Sequence, residues 1–194
     1  MIYRLVLLLS AISFLAACGG GGGGVQPTVY PAISLSTSTS SLAENSGTTV
    51  TLTVTASKIS DEDITVTLST SGTATDGTDY SAVNGSSLTI SAGTTTATKT
   101  FTVTDNSIYE GNETVVIAIS TVSGGSATEN GTQAQTITIT ENESAPTVSI
   151  ATSASSVYDN GSSLTLTATS TQAADETITV VIGTSGTATE GTDY

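Results

Sequence analysis

Residues 100–119 read Thr-Phe-Thr-Val-Thr-Asp-Asn-Ser-Ile-Tyr-Glu-Gly-Asn-Glu-Thr-Val-Val-Ile-Ala-Ile. Thr100–Val103 alternates polar and apolar residues with a period of two, and Val115–Ile119 follows as an apolar, mostly β-branched run, so a strand is expected on each side of a turn. That turn, Thr104–Glu113, carries Asp105, Glu110 and Glu113 to the end of a sheet. A pair of carboxylates about 5 Å apart repels by roughly 3 kcal/mol at an effective dielectric near 20. A hard, oxygen-seeking ion such as Ca2+ removes that repulsion, whereas a solvated acidic loop relieves it with water alone. The positions of the other acids bear on which applies.

The period-two pattern recurs on both sides of this stretch. Runs bounded by turn residues cover Ile33–Ser38, Val50–Thr55, Ile64–Ser69, Ser87–Ser91, Thr96–Val103, Thr114–Thr121 and Gln135–Thr140. Seven strands in about 115 residues predict an all-β, Greek-key antiparallel β-sandwich. Its inward positions are Ile33, Leu35, Val50, Leu52, Val54, Ile64, Val66, Leu68, Leu88, Ile90, Phe101, Val103, Val115, Ile117, Ile119, Ile137 and Ile139, enough for one core.

Strand parity then sorts the acids. If consecutive strands run antiparallel, the first, third and fifth connections and the end of the seventh strand share one pole. Glu44, Asp76, Asp79, Asp105, Glu110, Glu113, Glu141 and Glu143 fall there, while the other pole receives only Asp61, Glu62, Asp63 and Glu129. Ca2+ takes six to eight oxygens, and four separate acidic segments at one pole can supply them. Asp61-Glu62-Asp63 has neither the glycine nor the distal glutamate of an EF-hand loop and reads as a solvated turn.

Composition narrows the function classes. With Lys+Arg 3 against Asp+Glu 17 and a net charge of -14, the chain has no basic patch for nucleic acid phosphates or an anionic membrane surface. It also has His 0, Trp 0 and Cys 1, so nucleophilic triads and sugar-stacking platforms lack their usual parts, and the chain reads as a non-enzyme.

Residues 1–17 read as a signal peptide: Arg4 precedes the apolar runs Leu5–Leu9 and Ala11–Ala17, which fall short of the ~20 residues a spanning helix needs. The segment ends Leu15-Ala16-Ala17-Cys18, which resembles the bacterial lipobox. That resemblance makes Cys18 the lipidated first residue of the mature chain, anchored in a membrane by its acyl chains. Residues 18–30 then form a tether, with the glycine run Gly19–Gly24 too flexible to fold. Glycine after Cys18, where an aspartate would signal inner-membrane retention, implies an outer-membrane lipoprotein facing the periplasm or the cell surface. A single cysteine forbids a disulfide framework.

The chain also repeats itself. Pro31–Ser36 returns 115 residues on as Pro146–Ala151, and Thr70–Tyr80 returns as Thr184–Tyr194 with only Asp76 changed, to Glu190. A domain-sized period means tandem modules rather than a solenoid. The first module is expected at 31–144 and a second, incomplete one at 145–194, with strand-like runs such as Ile178–Ile182 that half a sandwich cannot bury. The chain therefore reads as a fragment of a longer array.

Three motifs together resemble the Calx-beta domain family. Ser41–Gly47 resembles its early Glu-x-x-Gly motif, Gly72–Tyr80 its Gly-Thr-Ala…Asp-Tyr motif, and Asp105–Glu113 its Asp-Asp-x-x-x-Glu-x-x-Glu motif. The resemblance implies an immunoglobulin-like sandwich that holds Ca2+ at one pole in its calcium-binding members. It makes Glu44, Asp79, Asp105, Glu110 and Glu113 ligand candidates, with the backbone carbonyl of Ile108, with Glu141 or Glu143 closing the site, and with Asp76 beside them. Asn106 departs from the family pattern, which has a second aspartate there. In the second module Asp159, Glu190 and Asp193 match Glu44, Asp76 and Asp79.

The expected function is a lipid-anchored cell-envelope protein whose Ca2+ stiffens a tandem array used in surface interaction or adhesion, with an unspecified protein or matrix partner and no nucleic acid. The alternative is an immunoglobulin-like structural spacer that needs no metal.

Overall fold

The computed structural model describes residues 28–158 and 160–194. The signal peptide, Cys18, the glycine run and Asp159 lie outside the described residues.

The first module is built from β1 (Ala32–Thr37), β2 (Ser41–Ala43), β3 (Thr49–Ala56), β4 (Ile64–Gly72), β5 (Ser87–Ile90), β6 (Thr96–Thr102), β7 (Glu113–Ser123), β8 (Thr128–Glu129) and β9 (Ala134–Thr140). One sheet has the order β6-β3-β1-β8, and the other β2-β9-β7-β4-β5. All seven predicted runs are strands, with ends shifted by three residues or fewer. Each is amphipathic at period two, and the sheets meet on their apolar faces.

Two short strands were not predicted, β2 and β8. Each pairs in parallel, β2 with β9 and β8 with β1. The first 12 residues of the sandwich thus serve both sheets: β1 lies in one and β2 crosses to the other.

Every predicted inward residue is buried except Val103, which is half-buried and packed against the core. Leu42, Ala74, Tyr80 and Val83 join them. Tyr80 stands edge-on to Phe101, with ring centroids 5.6 Å apart and planes at 61°, an arrangement the aromatic quadrupole favours.

β6 is an edge strand, and Lys99 lies opposite Leu52 on the inner side of the sheet. An inward lysine at an open edge opposes pairing with another copy. Lys99→Val is expected to leave the monomer folded and to introduce concentration-dependent association. Sedimentation at rising protein concentration checks this, and an unchanged monomer would show that Lys99 has no such role.

In the second module β10 (Val148–Thr152) pairs antiparallel with β11 (Leu166–Ser170). Ile178–Ile182, expected as strand-like, forms none, and its large side chains are exposed. The equivalent run in the first module is β4, held between β5 and β7. Residues 145–194 contain no counterpart of either neighbour, and a strand without partners leaves its main chain unpaired.

Candidate metal centre

The sandwich brings four separated segments to one pole. Glu44 opens the 3-10 turn Glu44–Ser46 directly after β2, which Gly47 ends at φ +61°. Asp79 lies in the β4–β5 connection, Glu110 in the β6–β7 loop, Glu113 at the start of β7, and Glu141 and Glu143 just past β9. They form two groups, Glu44–Glu141–Glu143 and Asp79–Glu110–Glu113, and in each group one oxygen per residue lies within 4.8 Å of the others.

Glu44 is 5% exposed, and its Oε1 accepts a bond from Asn106 N at 3.2 Å. Burial, aided by the charges of Glu141, Glu110 and Glu143, outweighs that bond and raises the Glu44 carboxyl to about 7. Glu113 is likewise raised to about 7, first by burial and then by Asp79 and Glu110. Burial works to raise Glu141 too, but main-chain amides hold it at about 2. Glu110 N and Gly111 N donate to its Oε2 at 2.6 and 2.8 Å, and Asn142 N and Glu143 N donate to its Oε1 at 2.9 Å each. Glu141 therefore remains charged while it ties the end of β9 to the β6–β7 loop. Glu143 Oε2 is shielded from solvent and no donor N–H or hydroxyl reaches it, while the facing Glu141 carboxylate raises the Glu143 carboxyl above its usual range.

Asp79 is 7% exposed, and its Oδ2 accepts from Thr75 N at 2.6 Å. Its main chain joins neighbouring segments, since Thr104 N donates to Asp79 O at 2.8 Å. The turn that presents it forms locally. In the second module Thr189 N donates to Asp193 Oδ2 at 2.7 Å, and Gly191 N to Tyr194 O at 2.8 Å, as Gly77 N does to Tyr80 O at 2.9 Å.

The remaining predicted residues stand outside both groups. Asp76 Oδ2 is occupied by Val83 N at 3.0 Å and Asn84 N at 2.9 Å. Burial opposes its ionisation, but those amides and the hydroxyls of Tyr80 and Thr70 hold its carboxyl below the usual range. It acts as a clasp for the β4–β5 connection. Asp105 Oδ1 accepts from Asn142 Nδ2 at 3.5 Å. Ile108 N donates to Asn106 Oδ1 at 2.6 Å. Glu190 and Asp193 are exposed in the second module. Asp63, of the opposite-pole acids, caps a turn by accepting from Ala92 N at 2.8 Å.

Sequence reading missed what Asn106 does. Its main-chain N–H reaches Glu44 in one group, and its Nδ2 donates to Glu110 Oε2 at 3.0 Å in the other. An aspartate could make only the first of these bonds. The available signal was an amide at the centre of an acidic turn.

The Calx-beta domain family matches residues 28–143 and again 131–194, and the chain belongs to that family. Calx-beta domains are non-catalytic modules. The similar solved structures include CBD12 from CALX1.2, at 22% identity and TM-score 0.45 over 52% of this chain and 40% of that one. The apo form of the Calx CBD1 domain is 20% identical, with TM-score 0.47 over 57% of this chain and 97% of that one. The calcium binding domain CBD12 of CALX1.1 is 22% identical, with TM-score 0.45 over 52% and 42%. The chain thus spans under half the length of the first and third of these. No curated protein matches it.

Proposed function

We propose that this is a lipid-anchored cell-envelope protein whose first module binds Ca2+ at the acidic pole, and that the ion stiffens a tandem array used in surface interaction or adhesion. The observation that carries the reading is the pair of carboxylate groups, three acids in each, with one oxygen per residue within 4.8 Å of the others in its group. Glu44, Glu141 and Glu143 would hold one ion and Asp79, Glu110 and Glu113 a second, with Asp105 and the Ile108 carbonyl at the rim and Asp76 bracing the loop behind. The donor set suits a hard cation, since every side chain offered is a carboxylate. The buried, unpartnered oxygen of Glu143 and the raised carboxyls of Glu44 and Glu113 are further support, because a cation satisfies the first and discharges the other two. Anchoring at Cys18 and an outer-membrane location rest on the lipobox-like segment alone.

One observation favours the metal-independent spacer. Four amides already satisfy Glu141, and Asn106 already bridges the two groups. Calorimetric Ca2+ titration and thermal melting distinguish the readings. At a hundredfold excess over Kd, ligand linkage stabilises by about 2.7 kcal/mol, which raises the Tm by on the order of 10 °C. Glu110→Gln is expected to abolish most of that rise. Neither heat nor a melting shift at millimolar Ca2+ would leave the spacer as the function.

A further inference from the structure

The β6–β7 loop also meets the second module. Tyr109 N donates to Ala173 O and Asp175 N donates to Tyr109 O, each at 3.1 Å, so Tyr109 and Ala174 make one rung of parallel β-pairing. Beside Ala173, Gln172 Nε2 donates to Ser144 O, past the end of β9. These contacts come from Thr171–Glu176, the segment after β11. By the repeat it corresponds to Ser57–Glu62 of the first module, with Ala173 and Ala174 standing where Ile59 and Ser60 stand. Two alanines let the main chains approach without a large side chain between them.

We propose that Thr171–Glu176 is a docking element that clips the second module to the β6–β7 loop of the module before it, through main-chain bonds, and that the charge on Asp175 weakens this joint. A main-chain rung needs a free amide at residues 109 and 175 and small side chains at 173 and 174; it does not need matched side chains. That tolerance suits modules that differ in sequence. Asp175 arrives beside an acidic pole and is among the charges that act on Glu113. Since Asp175 is exposed, salt screens the repulsion, with a Debye length of about 30 Å at 0.01 M and 3 Å at 1 M. While the pole holds no metal, the joint therefore tightens with simple salt.

Hydrogen exchange of the whole chain, in chelator and at low and high NaCl, tests this. The Tyr109 and Asp175 amides are expected to slow on the order of fivefold from low to high salt. Asp175→Asn is expected to make them slow at low salt already and to remove most of the salt response. Ala174→Trp is expected to return the Tyr109 amide to the unprotected rate while Val115–Ile119 stay protected, which shows the first module still folded. Unprotected Tyr109 and Asp175 amides at every salt concentration would overturn the docking. An Asp175→Asn chain that behaves like the parent would overturn the role of the charge. Because no Ca2+ is present, these results stand apart from the outcome of the calcium titration.

Discussion

Without metal, the first module is expected to lose stability on the order of 3 kcal/mol as the pH rises from about 5 to about 8. The main source is Glu44, whose carboxyl is raised from 4.5 to about 7 in the folded chain. A group that holds its proton more tightly when folded stabilises the fold fully below its unfolded pKa, and the contribution disappears as pH climbs through the folded value. Glu113 has the same sign, reduced by its partial exposure to solvent. Glu141, lowered to about 2, has the opposite sign, but its contribution is lost only as pH falls from 4.5 toward 2. The metal-free optimum should therefore lie near pH 5. Saturating Ca2+ should remove the decline, because the cation replaces the proton that Glu44 otherwise needs. Glu44→Gln should flatten most of the slope in chelator, since the amide carries no charge to bury. Urea unfolding at pH 5 and pH 8 measures all three effects. A profile that stays level in chelator would mean that Glu44 is charged at little cost and that the pole is wetter than its 5% exposure indicates.

The second large effect concerns Gly72, at the end of β4. Its φ is +121°, and a Cβ there would stand 2.1 Å from Thr114 O and 2.9 Å from Thr114 C. Both are main-chain atoms of β7, so no side-chain rotation relieves the clash. Gly72→Ala is expected to destabilise the module by ~3–5 kcal/mol, combining backbone strain with displacement of a central strand. Gly77→Ala is the control. Gly77 has φ +85° and open space around it, so only the conformational cost of about 1 kcal/mol applies. Thr114 follows Glu113 directly, and whatever pushes β7 away also moves that carboxylate. Gly72→Ala should therefore weaken Ca2+ binding as well as melting, whereas Gly77→Ala should leave the affinity close to the parent's. Equal losses from the two substitutions would contradict the close approach of β4 and β7.

What the sequence revealed follows from how local each signal is. Period-two alternation located β1, β3, β4, β5, β6, β7 and β9, because each strand carries its own buried face. β2 and β8 pair over three and two residues, and partners brought by the rest of the fold define them. Parity brought Glu44, Asp79, Glu110, Glu113, Glu141 and Glu143 to a common pole without any knowledge of distance. It did not separate acids that face one another from acids already bonded to amides, and so Asp76 was grouped with them. The Asp79 turn was legible because it forms within a few residues, as its copy in the second module shows. Tyr80, 1% exposed, was missed because it lies in a polar motif outside any alternating run.

The crossing of the N-terminal segment between sheets has a mechanical consequence. β2 runs parallel to β9, and those strands lie near the chain's entry to and exit from the module. A pull between the two ends drags β2 and β9 past each other along their length. The rungs at Ser41, Leu42 and Ala43 then resist together in shear, instead of peeling open one by one.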